Sequence, residues 1–106
     1  MSPDPNTPDR NIELAETFRL LGDPSRLSIV LTCLDEPIGV GELAERLGLS
    51  QSLVSHHLRL LRAARLVRGQ RDGKFVRYVA ADDHVREMLK NMTAHIREDD
   101  EDCGDD

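Results

Sequence analysis

The chain has 106 residues and a formal net charge of −6, with two Phe, one Tyr and no Trp. That length suits one domain with a small core of Leu, Val, Ile and Ala. No apolar run is long enough to span a bilayer and no apolar signal core stands near the start, so a soluble, cytoplasmic protein is expected.

The acidic total hides an uneven distribution. Residues 1–39 carry three cations and seven acids, net −4; residues 40–80 carry eight cations and three acids, net +5; residues 81–106 carry three cations and ten acids, net −7. A basic middle is the local footprint of a nucleic-acid face, and acidic flanks weaken attachment to arbitrary DNA, a dense polyanion. Cys33 and Cys103 lie far apart and form no metal-type pair, so free thiols are expected.

In chain order, Pro3, Pro5 and Pro8 among polar residues predict a disordered arm over residues 1–10. Leu14, Phe18 and Leu21 mark one face of a first helix from Asn11 to Leu21. Gly22 ends it, and Asp23 with Pro24 starts a second helix reaching about Asp35. The second helix is apolar on more than one stripe, which predicts a central position, with Cys33 as a small core residue. Pro37-Ile38-Gly39 reads as a connector. A short helix over 41–47 ends at Gly48, a natural left-handed C′ residue.

The stretch from Gly48 to Arg62 is the most informative. Ser50 is a good N-cap, and Val54, Leu58 and Leu61 recur on one helical face. The other face carries Gln51, Ser52, Ser55, His56, Arg59 and Arg62. Short polar groups near a helix start can read base edges, and arginines further on can meet phosphates. The bland alternative is an amphipathic surface helix. Short helix, Gly turn and longer helix make a helix-turn-helix.

After Ala64 the period changes to two. Residues 66–70 and 75–79 read as strands joined through Asp72-Gly73, a tight hairpin. Arg71 and Lys74 at its tip are placed to follow a phosphate backbone; a merely solvated tip is the alternative. Asp82 or Asp83 caps a last helix reaching about Arg97, with the stripe Val85, Met88, Leu89, Met92 and Ile96. Residues 99–106 read as a disordered acidic tail.

Asp82, His84, His95 and Glu98 carry donors suited to a borderline metal. His84 and His95 lie within about 20° around the helix but about 16 Å apart along it. One chain therefore cannot close all four on one ion. Asp82 with His84, and His95 with Glu98, make two half-sites that an antiparallel second copy would join, giving two sites per two-fold dimer. On the bland reading, Asp82 is only a cap, the histidines are surface residues and Glu98 opens the tail.

The runs Leu20-Leu-Gly-Asp-Pro-Ser-Arg-Leu-Ser-Ile-Val-Leu, Leu43-Ala-Glu-Arg-Leu-Gly-Leu-Ser-Gln-Ser-Leu-Val-Ser-His-His-Leu-Arg-Leu-Leu and Leu66-Val to Tyr78 resemble the ArsR–SmtB family of winged helix-turn-helix repressors. The resemblance implies a mainly α fold with a small β-hairpin. It implies a homodimer through the first and last helices that binds double-stranded operator DNA when empty and leaves it when metal binds. One class of the family binds metal through a Cys-x-Cys pair before the recognition helix; here Gly39-Val40-Gly41-Glu42-Leu43 lacks both thiols. The other class uses Asp-x-His and His-x-x-Glu on the last helix, which Asp82, His84, His95 and Glu98 match. The resemblance also points to a bond from His95 to the backbone carbonyl of Arg65.

Two N and two O ligands suit Zn(II) first, then Co(II); Ni(II) asks for more, which Asp99, Asp100 or Cys103 could supply. Three rivals remain: a thiol or persulfide sensor using Cys33 and Cys103, a zinc hydrolase, and a DNA-binding module without effector.

Overall fold

The computed structural model describes the backbone of residues 8–102 and the side chains of residues 9–98. Five helices and three strands follow in the order α1 (Pro8–Leu21), α2 (Pro24–Thr32), β1 (Ile38–Gly39), α3 (Val40–Leu47), α4 (Gln51–Ala63), β2 (Val67–Asp72), β3 (Phe75–Ala80) and α5 (Asp83–Asp102). None of the described helices is long and apolar enough to cross a membrane.

Local chemistry explains the helix boundaries. Asp23 accepts from the Arg26 N–H at 3.0 Å, and Pro24 occupies the first turn of α2, where its missing N–H costs nothing. Ser50 accepts from the Leu53 N–H at 3.1 Å and starts α4. Gly48 closes α3 with φ 67°, the left-handed conformation that glycine adopts without a Cβ penalty. Asp82, not Asp83, caps α5 through its Oδ1 and the Val85 N–H at 3.1 Å.

Several boundaries differ from expectation: α2 stops at Thr32 rather than near Asp35, β2 runs Val67–Asp72 rather than 66–70, β3 extends to Ala80, and the outer ends of the first and last helices shift as well. Helix α1 begins at Pro8, inside the expected arm, because proline at N1 has the helical φ already set. Helix α5 continues to Asp102, into the expected tail, since no Gly or Pro interrupts it before Gly104. Residues 1–7 of the arm and residues 103–106 of the tail, Cys103 among them, lie outside the described residues.

The sheet has the order β1-β3-β2, all antiparallel. The expected connector Pro37-Ile38-Gly39 contains its third strand: Ile38 pairs with Tyr78 and Gly39 with Arg77. In the hairpin Asp72 pairs with Phe75, so the turn residues are Gly73 and Lys74. Only Gly73 has positive φ, 64°, the pattern of a II′ turn rather than one centred on Asp-Gly.

Ile29, Val30 and Cys33 are fully buried, which puts α2 at the centre, as its broad apolar face predicts. Leu43, Val54, Leu58, Leu61, Val67 and Ala80 close around it, joining the helix-turn-helix to the root of the wing. The end of α2 is stitched across the fold by the Ala80 N–H, which donates to the Cys33 carbonyl at 3.1 Å.

Candidate DNA interface and metal half-sites

Helix α4 splits cleanly into two faces. Val54, His57, Leu58 and Leu61 are buried. Gln51, Ser52, Ser55, His56, Arg59 and Arg62 are all exposed, as are Arg71 and Lys74 on the hairpin. The sheet then gathers part of this set. Gln51 and Lys74 line a cleft of about 670 Å³ between the start of α4, the start of α3 and β3. Ser55, Arg59 and Arg62 surround a smaller hollow of about 180 Å³ that Tyr78 and Val40 also line. Ser52, His56 and Arg71 border neither hollow and face outward. The two hollows adjoin through Val40 and Tyr78, which line both, and carry the cations Arg59, Arg62, Lys74 and Arg77 together with Glu42.

Sequence reading missed two features of that surface. Phe75, beside the turn, is 73% exposed, and Tyr78 reaches the hollow under Arg59. The alternation of the β3 strand was their only signal. It also missed His57, which lies one residue beyond the exposed His56 and turns inward. Its Nδ1 is the one buried side-chain nitrogen or oxygen without a hydrogen-bond partner among the described residues. Burial pushes its pKa below the ordinary value, with the Asp23 carboxylate opposing.

At the start of α5, Asp82 and His84 form a compact pair. The Oδ1 of Asp82 is engaged by the Val85 N–H, and its Oδ2 lies 3.7 Å from His84 Nδ1. That N–H first, opposed by desolvation and helped by the His84 ring, holds the Asp82 carboxyl below the usual carboxylate range. The carboxylate is therefore ionised at neutral pH, with one oxygen on the helix cap and the other beside the His84 ring. The His84 side chain is almost fully exposed.

His95 and Glu98 stand on the exposed surface of the same helix, one turn apart from each other. About 16 Å of helix separates His84 from His95. Among the described residues no three His, Cys, Asp or Glu side chains come together as one metal-binding group. The four candidate ligands are thus placed as two separate pairs in a single chain. Arg65, the expected partner of His95, lies two residues past the end of α4 in the left-handed conformation with φ 59°.

Cys33 is fully buried and its thiol is pushed up to about 11 by desolvation. A thiol in that state is mostly protonated at neutral pH and a weak nucleophile. The Cys103 half of the thiol-sensor rival lies outside the described residues.

Residues 23–68 match the model for the arsR family of bacterial regulatory proteins. A Synechocystis protein named as a transcriptional repressor SmtB homolog is 39% identical over 92 residues, covering 87% of this chain and 70% of its own. Among solved structures, that of apo-NmtR superposes with a TM-score of 0.75 at 36% identity, covering 92% of this chain and 82% of that one. The homodimeric winged helix-turn-helix DNA-binding domain of a possible ArsR-family regulator from Mycobacterium bovis superposes at 0.82, covering 92% and 91%; at 19% identity that likeness speaks for the fold.

Proposed function

The chain belongs to the ArsR family of bacterial regulatory proteins, and from that premise we propose that it is a metal-responsive transcriptional repressor. It works as a homodimer that holds operator DNA when metal-free and releases it when divalent ions occupy two sites between the last helices. The observation that carries this reading is the Asp82–His84 pair. One carboxylate oxygen is committed to the helix cap, and the other faces an exposed imidazole across 3.7 Å.

Two further observations support it. Ile12, Leu14 and Phe18 on α1, with Met92 and Ile96 on α5, are each at least half exposed in the single chain. Apolar side chains of that size, concentrated on two helices, suit burial against a second copy. Antiparallel pairing of α5 would bring His95 and Glu98 of the partner subunit to Asp82 and His84. Kinship with a transcriptional repressor favours DNA over a substrate and removes the hydrolase rival.

The residues divide the work. Gln51, Ser52, Ser55 and His56 offer hydrogen bonds to base edges; Arg59, Arg62, Arg71 and Lys74 meet phosphates. The donor set of two imidazoles and two carboxylates suits tetrahedral Zn(II) or Co(II). A bound ion would supply a bridge of positive charge between donors of two chains. Ni(II) is served less well by four such donors.

The test is a fluorescence-anisotropy titration of operator DNA, repeated with Zn(II), Co(II) and Ni(II). We expect strong salt-dependent binding without metal and a loss of affinity of roughly 5- to 150-fold with at least one metal. Tight DNA binding that none of the three metals alters would leave an effector-independent repressor instead.

A further inference from the structure

Between the metal half-site and the core lies a set of charges that neither DNA nor metal binding uses. Arg86, on the second turn of α5, is three-quarters buried along its side chain. Its Nε donates to the Leu34 carbonyl at 3.3 Å, just past the end of α2, and lies 3.5 Å from Asp35 Oδ1. Its Nη1 binds Asp83, the residue between the two candidate ligands. Lys90, one turn on, places its Nζ 2.8 Å from the same Asp35 oxygen. Two cations of α5 thus grip one carboxylate at the end of α2, while Val85 and Leu89 bury the adjacent apolar face.

The far half of α5 is held differently. A cleft of about 420 Å³ runs between it and α2, lined by Leu31, Leu34, Thr93, Ala94, Arg97 and Glu98 among others. Met92 and Ile96 point away from the core into the exposed surface. Helix α5 therefore has a clamped end, carrying Asp82 and His84, and a loosely packed end, carrying His95 and Glu98.

We propose that Arg86 is a positioning residue, and that its grip on Asp35 and Leu34 makes the clamped end of α5 rigid with the winged domain. Resting on the sensor reading above, this identifies which joint transmits metal binding. Each site would join the clamped end of one chain to the loose end of its partner. A displacement at the seam then turns the winged domain as one body only while the clamp holds. The Asp35 carboxylate is 60% exposed, so the ion pairs alone would contribute little; the hold rests on the part-buried Arg86 side chain and its bond to the backbone of Leu34. The Leu34 carbonyl adds a directional hydrogen bond that a point charge would not replace.

The experiment compares wild type with Arg86→Gln and Asp35→Asn in three measurements: Co(II) visible absorption, DNA affinity without metal, and DNA affinity with saturating Co(II). The clamp predicts that both variants keep two tetrahedral Co(II) sites per dimer and bind metal-free DNA within about threefold of wild type. It predicts that most of the metal-induced loss of DNA affinity disappears, so that saturating Co(II) weakens DNA binding by no more than about twofold where the wild type loses roughly 5- to 150-fold. A merely structural role would lower the melting temperature and metal-free DNA binding together, without uncoupling them. Asp35→Asn keeps the test open if Arg86→Gln fails to fold. Wild-type coupling in either folded variant overturns the proposal. So does loss of Co(II) sites in Arg86→Gln alone, which would make Arg86 a local ligand orienter. Absence of any metal effect in the wild type overturns the sensor reading and the clamp with it; intact wild-type coupling with unaffected variants overturns the clamp only.

Discussion

His57 illustrates how much a single rotation step matters on a helix. His56 and His57 are neighbours in sequence, yet one faces solvent and the other the core. A buried imidazole nitrogen without a partner carries a cost of roughly 1–3 kcal/mol, and protonation would add a poorly solvated charge. Desolvation, reinforced by Arg26 and His56 and opposed by Asp23, keeps the ring below its ordinary pKa of 6.5. The fold thus favours the neutral form. Its contribution is complete above about pH 6.5 and disappears as pH falls through the depressed folded value. Thermal melts between pH 7.5 and pH 5 should show the wild type losing stability on acidification, and His57→Leu should flatten that slope. The Asp23 and Asp82 carboxyls, both lowered, hand over their contributions at more acid pH and do not mask the effect. An unchanged slope in His57→Leu would remove this assignment. Cys33 is the complementary case: its small apolar role was legible from the helix pattern, and its burial and raised thiol pKa agree.

At the level of elements, the turn between α3 and α4 sets the aim of the recognition helix. Gly48 holds φ 67°, its N–H donating to the Ala44 carbonyl, and two residues later Ser50 caps α4. A Cβ at Gly48 would meet no atom within 4 Å. The cost of Gly48→Ala is therefore backbone strain alone, about 1 kcal/mol. For a domain of this size that corresponds to a drop of roughly 4–8 °C in Tm. Gly48→Asn, whose side chain tolerates the left-handed region, should lose less than half as much. Equal losses in the two variants, measured by circular dichroism melts, would point to crowding rather than φ. Caps of this kind are readable because they depend on residues within three or four positions. Strand β1 was not readable: two residues are too few for a period, and its pairing partners lie some forty positions away at Tyr78 and Arg77.

For the whole molecule, the shared-site arrangement makes a prediction that no single-chain site can imitate. His84→Ala and His95→Ala homodimers should each lose both tight metal sites. After subunit exchange, the mixed dimer should regain one. There, Asp82 and His84 of the His95→Ala chain face His95 and Glu98 of the partner subunit, and the other site carries both substitutions. Tetrahedral Co(II) absorption would count the sites. No recovery in verified heterodimers would rule out antiparallel sharing. Full binding by either single variant would strike that histidine from the ligand set.

Periodicity, caps and turn residues determined the helices, the hairpin and the outward face of α4, because each rests on the geometry of a few consecutive residues. The same local geometry separated the candidate ligands into two pairs, since rise per residue alone puts His84 and His95 far apart. Tertiary structure decided what depends on neighbours distant in sequence. It turned His57 inward beside Asp23, added Ile38 to the sheet, put Gln51 and Lys74 on one cleft, and gathered Arg86 and Lys90 around Asp35. Charged side chains at helical spacing look alike as text. Only packing against another element distinguishes a solvated cation from one that holds two helices together.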